Sequence, residues 1–202
     1  MIKFFKLSIC LIFFFLTMIS AIGQPSYKME IKNDSLINSS EFIFDIYIQN
    51  IPTTNYPDSF ELNGVQVGLL TNVGVLNGGV IKATIISGFS DLVPNQQQTT
   101  SNLSMGSSGS TYGVKMTIKS LSAGNGTKIK NFPMRVCRIK LTNQVSSTDL
   151  TPVSFASNSK INLAWNNATT IPWKTAVFAN LPANTAISNS SSNVLTNFRN
   201  PL

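Results

Sequence analysis

The chain has 202 residues, enough for one domain whose core is stable without disulfides. It contains no histidine, which excludes Ser-His-Asp and Cys-His catalysis and the usual zinc sites. The net charge is +7 at pH 7, but the basic residues are scattered along the chain. A nucleic-acid groove would need a denser basic patch interleaved with aromatic residues, so we predict no nucleic-acid partner.

Residues 1–23 have the pattern of a secretory signal peptide. Lys3 and Lys6 form a basic start, and a run of 16 nearly uncharged residues follows over Leu7–Ile22. This run is shorter than the roughly 20 residues of a membrane-spanning helix, so we predict cleavage after Gly23 rather than an uncleaved anchor. Cleavage leaves 13 basic and 8 acidic residues, a net charge of +5. The mature protein is expected to be secreted, with no stable membrane span.

Strict alternation of apolar and polar residues predicts β-strands in the first part of the chain. The first two are Tyr27–Lys32 and Glu41–Gln49; in the second, Asp45, Tyr47 and Gln49 lie on the face opposite the apolar residues. Phe60–Leu70 is predicted to be the strand around which the chain is organised. Its alternation slips by one residue at Asn63-Gly64, which indicates a β-bulge.

The second part of the chain continues the β pattern. The Asn77-Gly78-Gly79 turn leads into a strand at Val80–Ser87, and the polar stretch Asp91–Ser110 is predicted to be an exposed, mobile loop with a short strand near Leu103 and Met105. Further strands are predicted at Tyr112–Leu121, Pro133–Asn143, Ile161–Trp165 and Thr175–Leu181. We therefore predict an all-β fold, a two-sheet β-sandwich over residues 24–182, followed by a polar tail at 183–202 that frays.

The mature chain has one cysteine, Cys137, which cannot form an internal disulfide. It alternates with apolar neighbours, sharing one strand face with Ile139 and Leu141. We predict that it is a buried core residue and not a reactive thiol.

The order of these strands resembles the cohesin-like family of β-sandwich modules, and more narrowly the N-terminal modules of Bacteroidetes-type proteins exported by type IX secretion. The matching segments are Phe42–Asn50, Phe60–Leu70 with its following turn, Met134–Asn143 and Trp173–Ala179. The resemblance implies a cohesin-like or jelly-roll-like sandwich and an extracellular context. Type IX cargo usually ends in a separate sorting domain, for which 183–202 is too short. No dockerin-contact residues are carried over, because that face cannot be matched here.

Acidic residues are the remaining candidates for catalysis. A glycosidase needs two carboxyl groups, and the pairs available are Asp58 with Glu61 and Asp34 with Glu41. Both pairs flank predicted strand starts, where solvated acids are ordinary. We predict no catalytic residues, no cofactor and no metal-binding motif, while a structural Ca²⁺ is left open.

Aromatic residues are the candidates for ligand contact. Trp173 is a candidate for a sugar-stacking platform with Tyr112 or Tyr56, although packing at the edge of the domain is the favoured explanation for this residue. The leading prediction is a non-catalytic extracellular or cell-surface module that binds or displays protein. The alternative is a secreted carbohydrate-active protein that binds or hydrolyses glycan. The partner, protein or glycan, is not identified by the sequence.

Overall fold

The computed structural model describes residues 25–108, 111–117, 122–157, 161–165, 175–180, 186–187 and 196–197. Within these ranges there are twelve β-strands and three short 3₁₀ turns. The strands are β1 (Ser26–Asn38), β2 (Glu41–Ile51), β3 (Ser59–Asn72), β4 (Val80–Ile86), β5 (Leu103–Ser108), β6 (Thr111–Thr117), β7 (Lys128–Lys130), β8 (Met134–Gln144), β9 (Asn162–Trp165), β10 (Ala176–Ala179), β11 (Ala186–Ile187) and β12 (Thr196–Asn197). The predicted signal peptide lies outside the described residues. In the described ranges, no helical segment has the length and hydropathy needed to cross a bilayer.

The strands form two antiparallel sheets. The four-stranded sheet has the order β1-β2-β8-β4. The larger sheet has the order β11-β10-β3-β6-β5; β7 and β9 also pair with β3, and β12 pairs with β9. Because β3 and β4 belong to different sheets, the turn at Asn77 and Gly78 carries the chain from one sheet to the other, and both residues adopt positive φ. The predicted all-β, two-sheet sandwich is confirmed.

The core lies between the two sheets, where one face of each strand is buried. The residues that alternate in the predicted strands are the ones that fill it: Tyr27, Met29, Ile31, Phe42, Phe44, Ile46, Ile48, Val65, Val67, Leu69, Val114, Met116, Ile139 and Leu141. Fully burying one such large side chain stabilises the fold by about 1.5–3 kcal/mol. A pattern of period two therefore predicts the burial, since neighbouring residues of a strand point to opposite faces.

Strand β3 contains the predicted bulge. Phe178 of β10 pairs with Gly64 and Ala179 pairs with Leu62, so Asn63 is an extra residue on β3. The prediction of a bulged strand at this position is confirmed. The bulge leaves the β3 backbone locally without its regular partners, so its carbonyl groups need hydrogen bonds from elsewhere.

The prediction of an exposed, mobile loop over Asp91–Ser110 is wrong for its first half. Leu92, Gln96 and Gln98 are buried, and Gln96 has no exposed surface. The second half contains β5, Leu103–Ser108, which confirms the short strand. The polar composition was misleading because these glutamine side chains are buried with hydrogen-bond partners.

Gln96 supplies the hydrogen bonds that the bulge lacks. Its Nε2 donates to the carbonyl oxygens of Leu62 and Asn63, at 2.9 and 3.1 Å. Its Oε1 accepts from the backbone N–H and the hydroxyl of Thr127, at 2.8 and 2.7 Å. A buried amide with its donors and acceptor satisfied in this way stabilises the fold instead of destabilising it.

Three strands are not predicted by the sequence patterns: β7, β11 and β12. Each has only two or three residues, too few to show an alternation. Two of them lie in the range predicted to be a polar tail, where Ala186–Ile187 pair with β10 and Thr196–Asn197 pair with β9.

Candidate functional site

A bulge in β8 brings two arginines to the same side of the four-stranded sheet. Cys137 pairs with Ile46 of β2, and Arg135 pairs with the next residue, Tyr47. Val136 therefore has no partner on β2 and is the extra residue of the bulge. In a regular strand Arg135 and Arg138 would point to opposite faces, because they are three residues apart. The bulge places both on the outer face and buries Val136 together with Cys137.

Five side chains on and beside this outer face form what we call the arginine–aromatic cluster: Asp45, Tyr47, Phe89, Arg135 and Arg138. Asp45 and Tyr47 come from β2, Arg135 and Arg138 from β8, and Phe89 from the segment that follows β4. Asp45 pairs across the ladder with Arg138, and Tyr47 pairs with Arg135. Two adjacent strands therefore set the positions of four of the five side chains.

Asp45 is the buried centre of the cluster. Arg138 contacts it through two hydrogen bonds, Nε to Oδ1 at 2.6 Å and Nη2 to Oδ2 at 2.8 Å, and Asn33 Nδ2 adds a third at 2.8 Å. The Asp45 side chain has no exposed surface. Burial by itself would raise the pKa of Asp45, but the hydrogen bonds from Arg138 and Asn33 and the charges of both arginines hold it below its usual value. Asp45 is therefore a structural carboxylate, with no role as a proton donor near neutral pH.

Arg135 is bound much less completely than Arg138. In the described part of the chain, its guanidinium makes one hydrogen bond, from Nη1 to Asp45 Oδ2 at 3.4 Å, and its Nε has no partner. The guanidinium carbon lies 5.8 Å from the centre of the Tyr47 ring and 5.3 Å from that of Phe89. The Arg135 side chain is 25% exposed. Its position is thus held by two aromatic rings while most of its donors stay unused.

Arg138 also packs on Phe89, with its guanidinium carbon 4.0 Å from the ring centre. Its basicity increases, because the hydrogen bond to Asp45 raises the pKa of the Arg138 guanidinium. The Arg138 side chain is only 19% exposed. One feature of the sequence could have indicated the cluster: Asp45 is the only charged residue between Phe42 and Asn50.

Two of the three aromatic residues predicted to contact ligand lie in the described ranges. Tyr112 lies on β6 opposite Thr71, and its hydroxyl donates to the carbonyl oxygen of Ile81 at 3.0 Å. Tyr56 lies in the loop before β3, whereas Thr71 lies near the end of that strand. Trp173, with which either tyrosine was predicted to form a stacking platform, lies outside the described residues. The predicted platform therefore stays a prediction.

Both carboxylate oxygens of Glu61 have hydrogen-bond or ion-pair partners. Its Oε1 accepts hydrogen bonds from the backbone of Gly124 at 2.7 Å and Gly126 at 3.0 Å, and from Asn180 Nδ2 at 2.8 Å. Its Oε2 pairs with Lys128 Nζ at 2.8 Å. Burial would raise the pKa of Glu61, but the hydrogen bonds from Lys128, Gly126, Asn180 and Gly124 lower it to about 2. This carboxylate ties three segments together and stays ionised near neutral pH.

The other three acids predicted as catalytic candidates lie at the protein surface, exposed or partly exposed. Glu41 pairs with Lys140 Nζ at 2.7 Å and accepts a hydrogen bond from Asn38, which together lower its pKa. Asp34 and Asp58 are exposed. Glu41 and Glu61 both have a lowered pKa, whereas the general acid of a glycosidase needs a raised one.

A cavity of about 260 Å³ lies beside the cluster, between the end of β4 and the segment 94–99. Its lining mixes apolar and polar residues: Ile85, Ile86, Phe89 and Pro94 with Ser87, Ser90, Gln97 and Thr99. The volume is slightly below the range of about 300–1,000 Å³ that is typical of ligand pockets.

Cys137 is buried, as predicted, and its Sγ lies 3.4 Å from Met116 Sδ. Burial raises the pKa of the thiol, and the charge of Asp45 raises it further. Across the described ranges, no three acidic or cysteine side chains are close enough together to hold a metal ion.

No protein-family model and no curated protein matches this chain. Similar solved structures include the second type II cohesin module of the ScaA scaffoldin from Acetivibrio cellulolyticus, at 10% identity and a TM-score of 0.40, covering 82% of this chain and 90% of that chain. A type II cohesin–X–dockerin complex of the same organism matches at 11% identity and a TM-score of 0.40, covering 84% and 94%.

Endoglucanase CelQ from Clostridium thermocellum, solved with cellotriose, matches at 8% identity and a TM-score of 0.40, covering 81% of this chain. The chain spans only a quarter of that enzyme, 25% of its length. These TM-scores do not assign the chain to a family. The cohesin-like resemblance and the type IX context stay predictions from the sequence.

Proposed function

We propose that this chain is a secreted, non-catalytic interaction module that binds a partner protein at the cell surface. The contact surface in this proposal is the outer face of the four-stranded sheet. One observation carries the proposal: the arginine–aromatic cluster lies on the two central strands of that face, where the partly exposed Arg135 side chain lies close to two aromatic rings.

The composition of the cluster is that of an interface hot spot. Tyrosine and arginine are enriched among the few residues that supply most of the binding energy at protein interfaces. Here both types stand on paired strands of a sheet, and Asp45 fixes Arg138 by a bidentate contact. Side chains that are ordered before binding lose little conformational entropy when a partner arrives, which favours affinity.

The states of the acidic residues support the non-catalytic part of the proposal. Glu61 and Glu41, the better-ordered member of each predicted acid pair, are ion-paired and have lowered pKa values. Hydrolysis of a glycosidic bond needs one carboxylic acid that stays protonated near the working pH. Neither side chain meets that need.

The test compares two aromatic-to-alanine variants in capture experiments with cell-surface extract. We expect Tyr47→Ala to weaken capture of the partner by about tenfold, because it removes one of the rings that lie close to Arg135. Phe132→Ala, at an exposed aromatic residue between β7 and β8 and outside the cluster, is the matched control and should leave capture unchanged. Equal capture by all three proteins, with unchanged melting temperatures, would exclude the four-stranded sheet as the contact surface.

The proposal that the chain has no catalytic activity has a separate test. Purified protein is assayed against polysaccharides and chromogenic glycosides, beside Asp58→Asn and Glu61→Gln. We expect no turnover by any of the three. Hydrolysis by the unmodified protein that disappears in either variant would show that the chain is a glycosidase.

A second candidate function, glycan binding, is favoured by the cavity beside Phe89. Its hydroxyl and amide lining matches the hydrogen-bonding groups of a sugar, and the aromatic ring offers an apolar wall. In this reading Trp173, Tyr112 and Tyr56 remain proposed ligand contacts at other places on the chain. Titration with a panel of oligosaccharides tests it, with Gln97→Ala as the variant that alters the cavity. Binding that is unaffected by Gln97→Ala would assign the sugar to another surface.

A further inference from the structure

We infer that Arg135 is the recognition residue for a carboxylate on an acidic segment of the partner protein. This inference rests on the proposed function, since it names the chemistry of the partner that the outer face of the four-stranded sheet would bind. It joins three observations: the charge of this face, the unused donors of Arg135 and the two rings that position it.

The ion pairs of this face leave cations in excess. Lys28 and Lys32 share one carboxylate, that of Glu30, at 2.6 and 2.9 Å. Arg135 and Arg138 likewise share one carboxylate, that of Asp45. With Asp91, which lies beside Arg135, these four cations have three carboxylates near them, and the one cation in excess favours an anionic partner.

Asp91 lies next to Arg135 but does not neutralise its guanidinium through a direct contact. Its Oδ2 accepts a hydrogen bond from the backbone N–H of Arg135 at 2.6 Å, and its own N–H donates to the Arg135 carbonyl oxygen at 2.8 Å. These contacts attach the segment after Phe89 to the edge of β8. They hold the backbone of Arg135 in place and leave its side chain for other contacts.

The two arginines differ in how many hydrogen bonds their guanidinium groups make. Arg138 already makes a bidentate contact with Asp45, so its fork of donors is occupied. Arg135 reaches the same carboxylate with one long contact of 3.4 Å from Nη1. Its Nε has no partner but is buried, so the two Nη groups are the donors that would meet an incoming carboxylate. A guanidinium binds an incoming carboxylate through two parallel hydrogen bonds, and such charge-assisted pairs are about twice as strong as neutral ones.

The rings favour a protein as the source of the carboxylate. The Tyr47 and Phe89 rings both lie close to the Arg135 guanidinium, at 5.8 and 5.3 Å, and present apolar surface beside the charge. A charged pair surrounded by apolar contact surface is the arrangement found at the centre of protein interfaces, where the surrounding residues exclude water. An acidic polysaccharide would supply carboxylates with fewer apolar groups to cover these rings.

The test uses the protein expressed from its full-length sequence and an immobilised peptide of Glu-Gly repeats, with a Gln-Gly peptide as the neutral reference. We expect the Glu-Gly peptide to bind more tightly than the Gln-Gly peptide, with weaker binding at high ionic strength. Arg135→Gln should reduce binding to the Glu-Gly peptide about tenfold. Arg135→Lys should give an intermediate loss, because it keeps the charge but loses the fork of donors.

Lys130→Gln is the matched control, because it removes one positive charge from an exposed position on β7, outside the cluster. If Lys130→Gln reduces binding as much as Arg135→Gln, the attraction is a general effect of net charge and the inference is wrong. Polygalacturonate binding more tightly than the peptide, with the same dependence on Arg135, would overturn the assignment to a protein in favour of an acidic glycan.

Failure of this inference is distinguishable from failure of the proposed function. If Tyr47→Ala weakens capture of a surface protein while both Arg135 variants bind it normally, the interaction face stands and the carboxylate assignment fails. If Arg135→Gln lowers the melting temperature, the peptide comparison is made with Arg135→Lys. Equal binding of the two peptides by the unmodified protein overturns the inference whatever the variants do.

Discussion

Two polar side chains with no exposed surface, Asp45 and Gln96, hold together parts of the chain that are far apart in sequence. Asp45 joins β2 to β8 through Arg138, and Gln96 joins the β3 bulge to the residue before β7. Both side chains can be buried because hydrogen bonds within the protein replace the hydrogen bonds that they would make to water. At this scale stability depends on specific partners, so single substitutions have large and predictable effects.

Gln96→Ala should lower the free energy of unfolding by about 3 kcal/mol, because it leaves the carbonyl groups of Leu62 and Asn63 and the N–H of Thr127 buried without their partner. Urea denaturation measures the change. Asn95→Ala, at the exposed neighbouring position, should stay within about 0.5 kcal/mol of the unmodified protein. Equal midpoints for the two variants would contradict the assigned role of Gln96.

Cys137 should react slowly with a thiol reagent in the native protein and quickly in denaturant. Its side chain is buried, and its raised pKa keeps the reactive thiolate scarce. The labelling rate followed by mass spectrometry checks this at neutral pH. Fast labelling of the native protein would mean that this part of β8 opens to solvent.

At the scale of elements, β3 organises the larger sheet by pairing with β7, β10, β6 and β9 along its length. A strand of 14 residues can take several short partners on each edge because each covers only part of it. Glu61, at the start of β3, adds side-chain bonds to the 124–126 turn, β7 and the end of β10. Short strands that pair weakly by themselves are thereby attached to one long strand.

The Glu61 contacts predict an acid-sensitive contribution to stability. Because folding lowers the pKa of Glu61 from 4.5 to about 2, its contribution is complete above about pH 4.5 and is lost as the pH falls toward 2. Glu61→Gln should therefore be less stable than the unmodified protein by about 2 kcal/mol at pH 7. That deficit should shrink steadily between pH 4.5 and pH 2.

Chemical denaturation at a series of pH values measures this difference. Asp58→Asn is the control, since Asp58 is exposed and the same type of substitution there should cause little change at any of these pH values. A Glu61→Gln deficit that is independent of pH would show that the lost contacts do not depend on the carboxylate charge.

At the scale of the whole molecule, two sheets with one shared core leave the outer face of the four-stranded sheet for polar and charged residues. In the described ranges Cys137 is a free, buried cysteine. The prediction of export rests on the N-terminal sequence.

Export predicts a defined N-terminus. Mature protein recovered from the medium or the cell surface should begin at Gln24, because the basic start, the apolar run and the small residues Ala21 and Gly23 match the pattern of a signal-peptide cleavage site. N-terminal sequencing or intact mass measurement checks this. Mature protein that retains Met1, or begins far from Gln24, would contradict it.

The sequence by itself determined the fold class, most strand positions, the β3 bulge and the burial of Cys137. Alternating apolar and polar residues in a strand indicate which side chains are buried. This holds for any neighbouring strand, because successive side chains point to opposite faces of the sheet. The slip at Asn63-Gly64 was visible for the same reason. Strands of two or three residues, such as β11, were missed because they are too short to show a period.

Only the tertiary structure decided the arginine–aromatic cluster and the role of Gln96. Arg135 and Arg138 share a face because β8 carries an extra residue opposite β2, and that register is set by a partner about 90 residues away. Gln96 is buried because the bulge of β3 presents carbonyl groups that need donors. A sequence does not distinguish a solvated polar residue from a buried one. The difference depends on hydrogen-bond partners that are brought close only when the chain folds.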